Sequence, residues 1–191
     1  MKSHFFAYIS RMRFIQRWAL MRNTAPENVQ EHSHQVAVLA HGLATIRNEL
    51  FGGCVDAGKV AVAALYHDAS EILTGDMPTP IKYDNPAIRS AYKAVEAVAE
   101  RKLVEMLPAE LQHAYSGIVT VADSEVEQLV KAADKLSAHI KCLEELKAGN
   151  NEFREAAFQT RKALEAYELP EVQYFLDTFL PSFSLTLDEL K

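Results

Sequence analysis

Only two cysteines occur in the 191 residues, Cys54 and Cys142. They are far apart and form no C-x-x-C pattern, which argues against a disulfide framework and a thiolate zinc site. No apolar run approaches the roughly 20 residues needed to span a bilayer, so no membrane partner is expected. The first residues hold no continuous apolar core and are interrupted by arginines, unlike a secretory signal, and the expected location is cytoplasmic. Sustained apolar/polar alternation is also missing, so no strand is expected. Glycine and proline number seven each, and there is no repeat, low-complexity tract or linker. Acidic residues are absent from the first 26 positions: Lys2, Arg11, Arg13, Arg17 and Arg22 all precede Glu27, the first carboxylate. Such a basic segment is either a local anion-binding surface or a solvated helix face. The whole chain carries −6, which disfavours a nucleic-acid polymer as partner.

What is present is an ordinary folded composition, 49% apolar and 24% charged, long enough for a sizeable core. The fold class expected is all-α, a helical bundle forming one domain over residues 1–191. Residues 3–16 read as an amphipathic helix with Phe5, Ile9 and Met12 on one side. Thr24-Ala25-Pro26-Glu27 reads as a capping box opening a second helix that runs to about Leu50 and stops at Gly52-Gly53. A third helix is expected over 56–73, ended by Gly75. Asp76-Met77-Pro78-Thr79-Pro80 reads as a stiff non-helical loop, because each proline removes a donor and restricts its predecessor. A fourth helix over 86–106 is expected to bury Ala91, Val95, Val98 and Leu103. Pro108 begins a short piece, and 117–123 reads as a loop. A long helix follows over 124–147, with Leu129, Ala133, Leu136, Ile140 and Leu143 as its stripe. Two more helices end near Tyr167 and Phe179.

The third helix is the informative one. Over 61–73 it is apolar almost all the way round, the signature of a helix buried inside a domain. Yet it carries His67, Asp68 and Glu71, and dehydrating an unpaired carboxylate is costly. A metal site and a structural ion pair both explain the cluster. In the second helix, ~100° per residue puts Val29, His32, Val36, Leu39, Ala40 and Leu43 on one face, so His32 points into the core. It is either a hydrogen-bonded packing residue or a ligand. His34 and His41 fall on the opposite side, towards solvent. His4, His113 and His139 have no suggestive neighbours. Imidazole plus carboxylate suits a first-row transition ion better than calcium or magnesium. Asp134 sits at the edge of its helix's apolar stripe near Lys131 and Lys135, and periodicity alone does not nominate it.

Glu31-His32-Ser33, then His67-Asp68-Ala69-Ser70-Glu71, then Asp134 in Lys131-Ala132-Ala133-Asp134 resemble the H…HD…D signature of HD-domain metal-dependent phosphohydrolases. Ser3-His4-Phe5-Phe6-Ala7, Arg17-Trp18, Leu20-Met21-Arg22-Asn23, Gly75-Asp76-Met77-Pro78-Thr79-Pro80, Cys142-Leu143-Glu144-Glu145-Leu146, Asn150-Asn151-Glu152-Phe153 and Pro181-Ser182-Phe183 resemble the bacterial 5′-deoxynucleotidases of the YfbR type. The resemblance covers nearly the whole chain; 113–123 fits it less well and is slightly shorter.

That resemblance implies His32, His67, Asp68 and Asp134 as metal ligands, with cobalt foremost and manganese or another divalent ion as alternatives. It implies Glu71 as the general acid/base, with a supporting role that orients His67 as the other reading. Arg17 would hold the phosphate, and Trp18 would orient the substrate and select 2′-deoxyribose. His32, Asp68, Asp76, Met77, Pro78 and Thr79 complete the implied substrate site. The substrate implied is a small molecule, a deoxyribonucleoside 5′-monophosphate, and the assembly implied is a homodimer. Two rivals are an HD-type phosphodiesterase or phosphatase acting on another small nucleotide, and a non-catalytic helical module whose polar cluster is an ion-pair network.

Overall fold

The structure is a computed structural model that describes residues 2–82 and 85–190, apart from the side chains of Thr79 and Pro80. The expected all-α class is what is found: among the described residues the only β feature is an isolated antiparallel bridge between Gln16 and Asn28. The helices are α1 (Phe5–Ile9), α2 (Val29–Phe51), α3 (Ala57–Tyr66), α4 (Glu71–Thr74), α5 (Thr79–Lys82), α6 (Pro86–Glu105), α7 (Ala109–Val119), α8 (Ser124–Lys147), α9 (Arg154–Glu165) and α10 (Pro170–Thr178). The expected first helix is split, because its second half, Ser10–Phe14, tightens to a 3-10 helix. Phe5 and Met12 are buried as expected.

The core is built where α2 lies between α3 and α8. Val36, Ala40 and Leu43 from α2 meet Val60 and Ala64 from α3 and Leu129, Ala133, Leu136 and Ile140 from α8, with Val172 and Phe175 of α10 closing one side. Each fully buried leucine in this set stabilises the fold by about 1.5–3 kcal/mol through apolar area removed from water. The inward face expected for α2 is the face observed, and His34 and His41 are exposed.

The start of α2 differs from expectation. Asn28 is the N-cap and Glu31 closes a reciprocal capping box, four residues after the Thr24–Glu27 pattern. Thr24 is unavailable because its amide and hydroxyl are both taken by the buried Glu145 carboxylate of α8, at 2.9 and 2.6 Å. At the other end Gly52, with φ +69°, gives the left-handed residue that stops the helix.

The stretch expected as one helix over 56–73 is broken. α3 ends at Tyr66, and short-range turns carry the chain through Asp68 to α4. The His67 Nδ1 lies 2.7 Å from the Ala64 carbonyl, competing locally with the α-helical pattern. Nor is α3 apolar and buried all round, since Val62 and Leu65 are 38% and 41% exposed.

Three other expectations are corrected. Asp76–Pro78 is non-helical as expected, but Thr79–Lys82 forms a single helical turn; Pro80 is tolerated in that first turn, where its missing N–H would have no helical partner. In α6 the buried residues are Tyr92, Ala99 and Leu103, whereas Ala91, Val95 and Val98 face outwards. Tyr92 turns that face inwards because its hydroxyl donates to the Gly75 carbonyl at 3.2 Å, tying α6 to the end of α4. The expected loop at 117–123 is shorter, because α7 continues to Val119.

Candidate metal centre and substrate cleft

Packing of α2 against α8 sets the first imidazole. His32 is fully buried, and both of its nitrogens meet α8 residues one turn apart. Its Nδ1 lies 3.2 Å from Ser137 Oγ, and its Nε2 lies 3.0 Å from Asp134 Oδ1. The Ser137 hydroxyl donates to Gln35 Oε1 at 3.1 Å. Its oxygen is therefore left to accept from His32 Nδ1–H, which turns the Nε2 lone pair of the neutral ring towards Asp134.

The helix break sets the second imidazole. The Ala64 carbonyl can only accept, so the bond described above places a hydrogen on His67 Nδ1 and leaves Nε2 for the site. The two rings lie 5.3 Å apart. Asp68 Oδ2 sits 3.6 Å from His32 Nε2 and 3.1 Å from His67 Nε2. His32, His67 and Asp68 each offer a ligand atom within 4.8 Å of the others. Both buried Nε2 atoms lack a hydrogen-bond partner despite these short separations. A self-sufficient ion-pair network would have satisfied them. Two orphaned lone pairs facing two carboxylates fit a divalent cation held from two helices and the turn between α3 and α4.

The charges agree. Burial alone would push the Asp68 carboxyl up, but His67, His32 and Arg17 outweigh it and hold it well below the usual range. Burial also opposes Asp134, and His32, His67 and Arg17 again lower it. Burial lowers His67, yet Asp68 and Asp134 draw it up to about 9. The cluster is a place that attracts positive charge.

Glu71 behaves oppositely. It is buried, and its Oε2 has no hydrogen-bond partner. Burial first, then Asp68 and Asp76, raise its carboxyl to about 10, so it holds a proton at neutral pH. Since the His67 Nδ1–H is already committed to Ala64, it is not free to engage Glu71 as an orienter.

Arg17 spans the outer side. Its Nη1 is 3.3 Å from Asp68 Oδ2 and its Nη2 4.0 Å from Asp134 Oδ1, while Nε donates to Glu27 Oε2 at 3.2 Å. Beside it opens a cleft of about 660 Å³ lined by Arg17, Trp18, Asp76, Pro78 and Asp134, with Leu20, Met21, Lys135, Gln159 and Thr160 among its other walls. Met77 is half-buried next to this cleft without lining it. The Thr79 side chain lies outside the described residues. Sequence reasoning did not single out Gln35 or Ser137, and it took Glu27 for part of a helix cap. A carboxylate ending a long acid-free basic segment was the one available signal for Glu27.

The HD-domain phosphohydrolase of Listeria innocua has this architecture, with a TM-score of 0.82 and 26% identity over 94% of this chain and 88% of that one. The cyanophage S-2L HD phosphohydrolase DatZ, solved with dA and one catalytic Zn²⁺, shares the fold at TM-score 0.63 and 21% identity, over 93% and 95% of the two chains. Fold and His/Asp cluster together define an HD-domain phosphohydrolase. At finer level, residues 4–183 match the 5′-deoxynucleotidase YfbR-like family model. Curated 5′-deoxynucleotidases of Yersinia pestis (strain Pestoides F) and Yersinia pseudotuberculosis (serotype O:1b) are each 54% identical over 190 residues, 98% of this chain and 96% of theirs. The chain belongs to the YfbR-like 5′-deoxynucleotidase family.

Proposed function

We propose that the protein is a metal-dependent 5′-deoxynucleotidase that cleaves deoxyribonucleoside 5′-monophosphates to deoxynucleosides and phosphate and discriminates against ribonucleotides. The observation that carries this reading is the pair of buried, unpartnered imidazole nitrogens set beside Arg17 at the mouth of a nucleotide-sized cleft. His32, His67, Asp68 and Asp134 would hold the ion, with cobalt the expected activator and manganese or another divalent ion as substitutes. A divalent ion in such a site polarises a phosphoryl oxygen and lowers the pKa of water.

The chain's own groups do the rest. Arg17 offers a planar fork that matches two phosphate oxygens, and Glu27 holds its Nε end so that the Nη atoms face the site. Glu71 carries the proton that the departing O5′ needs as the P–O5′ bond breaks, and its burial keeps that proton in place at neutral pH. Asp76 and Pro78 line the cleft, where they would meet sugar and phosphate. Trp18 presents a bulky ring to the cleft, and a 2′-hydroxyl against it would clash or lose its water without gaining a partner. The expected enzyme is a one-domain, cytoplasmic homodimer.

The deciding measurement is phosphate release from paired deoxyribo- and ribonucleoside 5′-monophosphates, with and without chelator. Release from dAMP well above AMP, abolished by EDTA and restored by Co²⁺, is expected. Full turnover by metal-stripped protein, or release from a phosphodiester instead, would overturn the proposal.

A further inference from the structure

We propose that Glu27 is a positioning residue that couples the phosphate grip to the sugar filter, an inference that rests on the roles given above to Arg17 and Trp18. One oxygen of its carboxylate, Oε2, accepts both the Trp18 Nε1–H at 3.0 Å and the Arg17 Nε–H at 3.2 Å. The Glu27 side chain is 11% exposed and that of Arg17 13%, so water does little to replace either bond. The backbones are joined as well, because Arg17 N–H donates to the Glu27 carbonyl at 2.9 Å.

The conformation of Trp18 shows why such a holder is needed. Among the described residues Trp18 is the one non-glycine residue in the left-handed region, with φ +57°, and a bulky side chain there is strained. Four contacts hold it: the bond to Glu27, packing of the indole on Phe153 with centroids 5.3 Å apart, and two donors to its carbonyl, Met21 N and Asn23 Nδ2. The contact with Glu27 is the one that also touches Arg17. With Nε fixed there, the Nη atoms of the guanidinium are left pointing at Asp68 and Asp134. Any shift of the Glu27 carboxylate therefore moves the indole edge and the guanidinium together.

The test uses the full-length, metal-loaded enzyme with Glu27→Gln, which keeps size but removes the charge and turns one oxygen into a donor. Expected is a KM for dAMP raised about tenfold, the loss of a charge-assisted hydrogen bond, with kcat changed much less. The dAMP-to-AMP ratio of kcat/KM should fall with it. Trp18 is the only tryptophan, so its emission reports on the coupling directly and should shift to longer wavelength with greater quenching by acrylamide. Metal affinity, read by competition with a chelating dye, should stay within about twofold because Ser137 and the Ala64 carbonyl still hold the two imidazoles. Glu27→Asp, which retains charge but lacks the reach to serve both donors, should change in the same direction and carries the test if Glu27→Gln does not melt cooperatively. Unchanged Trp18 emission, a changed KM without a changed emission, or wild-type behaviour of Glu27→Asp would each overturn the coupling. If the unmodified enzyme fails to distinguish dAMP from AMP, the sugar-filter reading is what fails, and emission and KM still decide the role of Glu27.

Discussion

Replacing Glu145 by alanine should loosen the segment that carries Arg17 and Trp18 without touching the metal cluster. Glu145 is 1% exposed. Its carboxylate accepts from Thr24 N at 2.9 Å, Thr24 Oγ1 at 2.6 Å, Ala25 N at 3.2 Å and Asn150 Nδ2 at 2.9 Å, and it pairs with Lys141 Nζ. These bonds, with one from Lys141 to the Ala25 carbonyl, tie the chain just before α2 to α8. Glu145→Ala leaves the Lys141 ammonium buried with that carbonyl and the Phe153 ring, 5.6 Å away, but no counter-charge, and strands two backbone donors. Removing one partner of a buried pair costs about 3–5 kcal/mol. For a chain of this size that lowers Tm by roughly 6–20 °C. Calorimetry reads the shift, and hydrogen exchange should show faster opening of the amides from Arg17 to Asn28. The pH dependence has a definite sign. Lys141, Thr24 and Asn150 outweigh burial and hold the Glu145 carboxyl below its ordinary value. A depressed native pKa contributes stability that is complete above the unfolded value of about 4.3 and is lost as pH falls further. The gap between wild type and Glu145→Ala should therefore narrow below about pH 4. A double variant, Lys141→Met with Glu145→Leu, should recover part of the loss because no charge remains buried. A Tm change under about 2 °C, with unchanged exchange in the Arg17–Asn28 amides, would refute the reasoning.

Other outcomes follow from the site. Asp68→Ala or His67→Ala should abolish phosphate release and metal uptake together, checked by product assay and by metal content of the purified variant. Glu71→Ala should leave metal content intact and cut kcat by roughly 10²–10⁴-fold if it is the proton donor; an unchanged kcat would return it to a structural role. Ser137→Ala frees the His32 tautomer and removes its support, so metal affinity should drop about 10–100-fold while the melting curve stays cooperative, measured by competition with a chelating dye.

Much of the arrangement was legible along the chain because it depends on local periodicity and end signals. The 3.6-residue spacing of Val29, Val36 and Leu43 put His32 on the core face of α2, where it is found. The span of α8 and its stripe were readable for the same reason, as was the stop at Gly52. The faces of α6 were not, because which residues of a mixed helix turn inwards depends on what lies opposite. Val95 and Val98 stay exposed, whereas Tyr92 finds the Gly75 carbonyl.

The site divides along the same line. By itself the sequence determined the residue types, the helix carrying His32 and the adjacency of His67 and Asp68. The tertiary structure decided the rest. Asp134 is an edge residue by period, yet the packing of α2 on α8 brings its carboxylate to one nitrogen of His32 and Ser137 to the other. The break after Tyr66 depends on a side-chain-to-carbonyl bond that no hydrophobic pattern reports. Glu27 read as a helix cap because Thr24 precedes it by three. In the fold Glu145 takes Thr24, Asn28 takes the cap, and Glu27 turns to Arg17 and Trp18. Local pattern establishes the face that a side chain shares with its neighbours along the helix. Only the packing of distant segments establishes which partner it meets there, because that partner is chosen by competition among donors and acceptors brought together by folding.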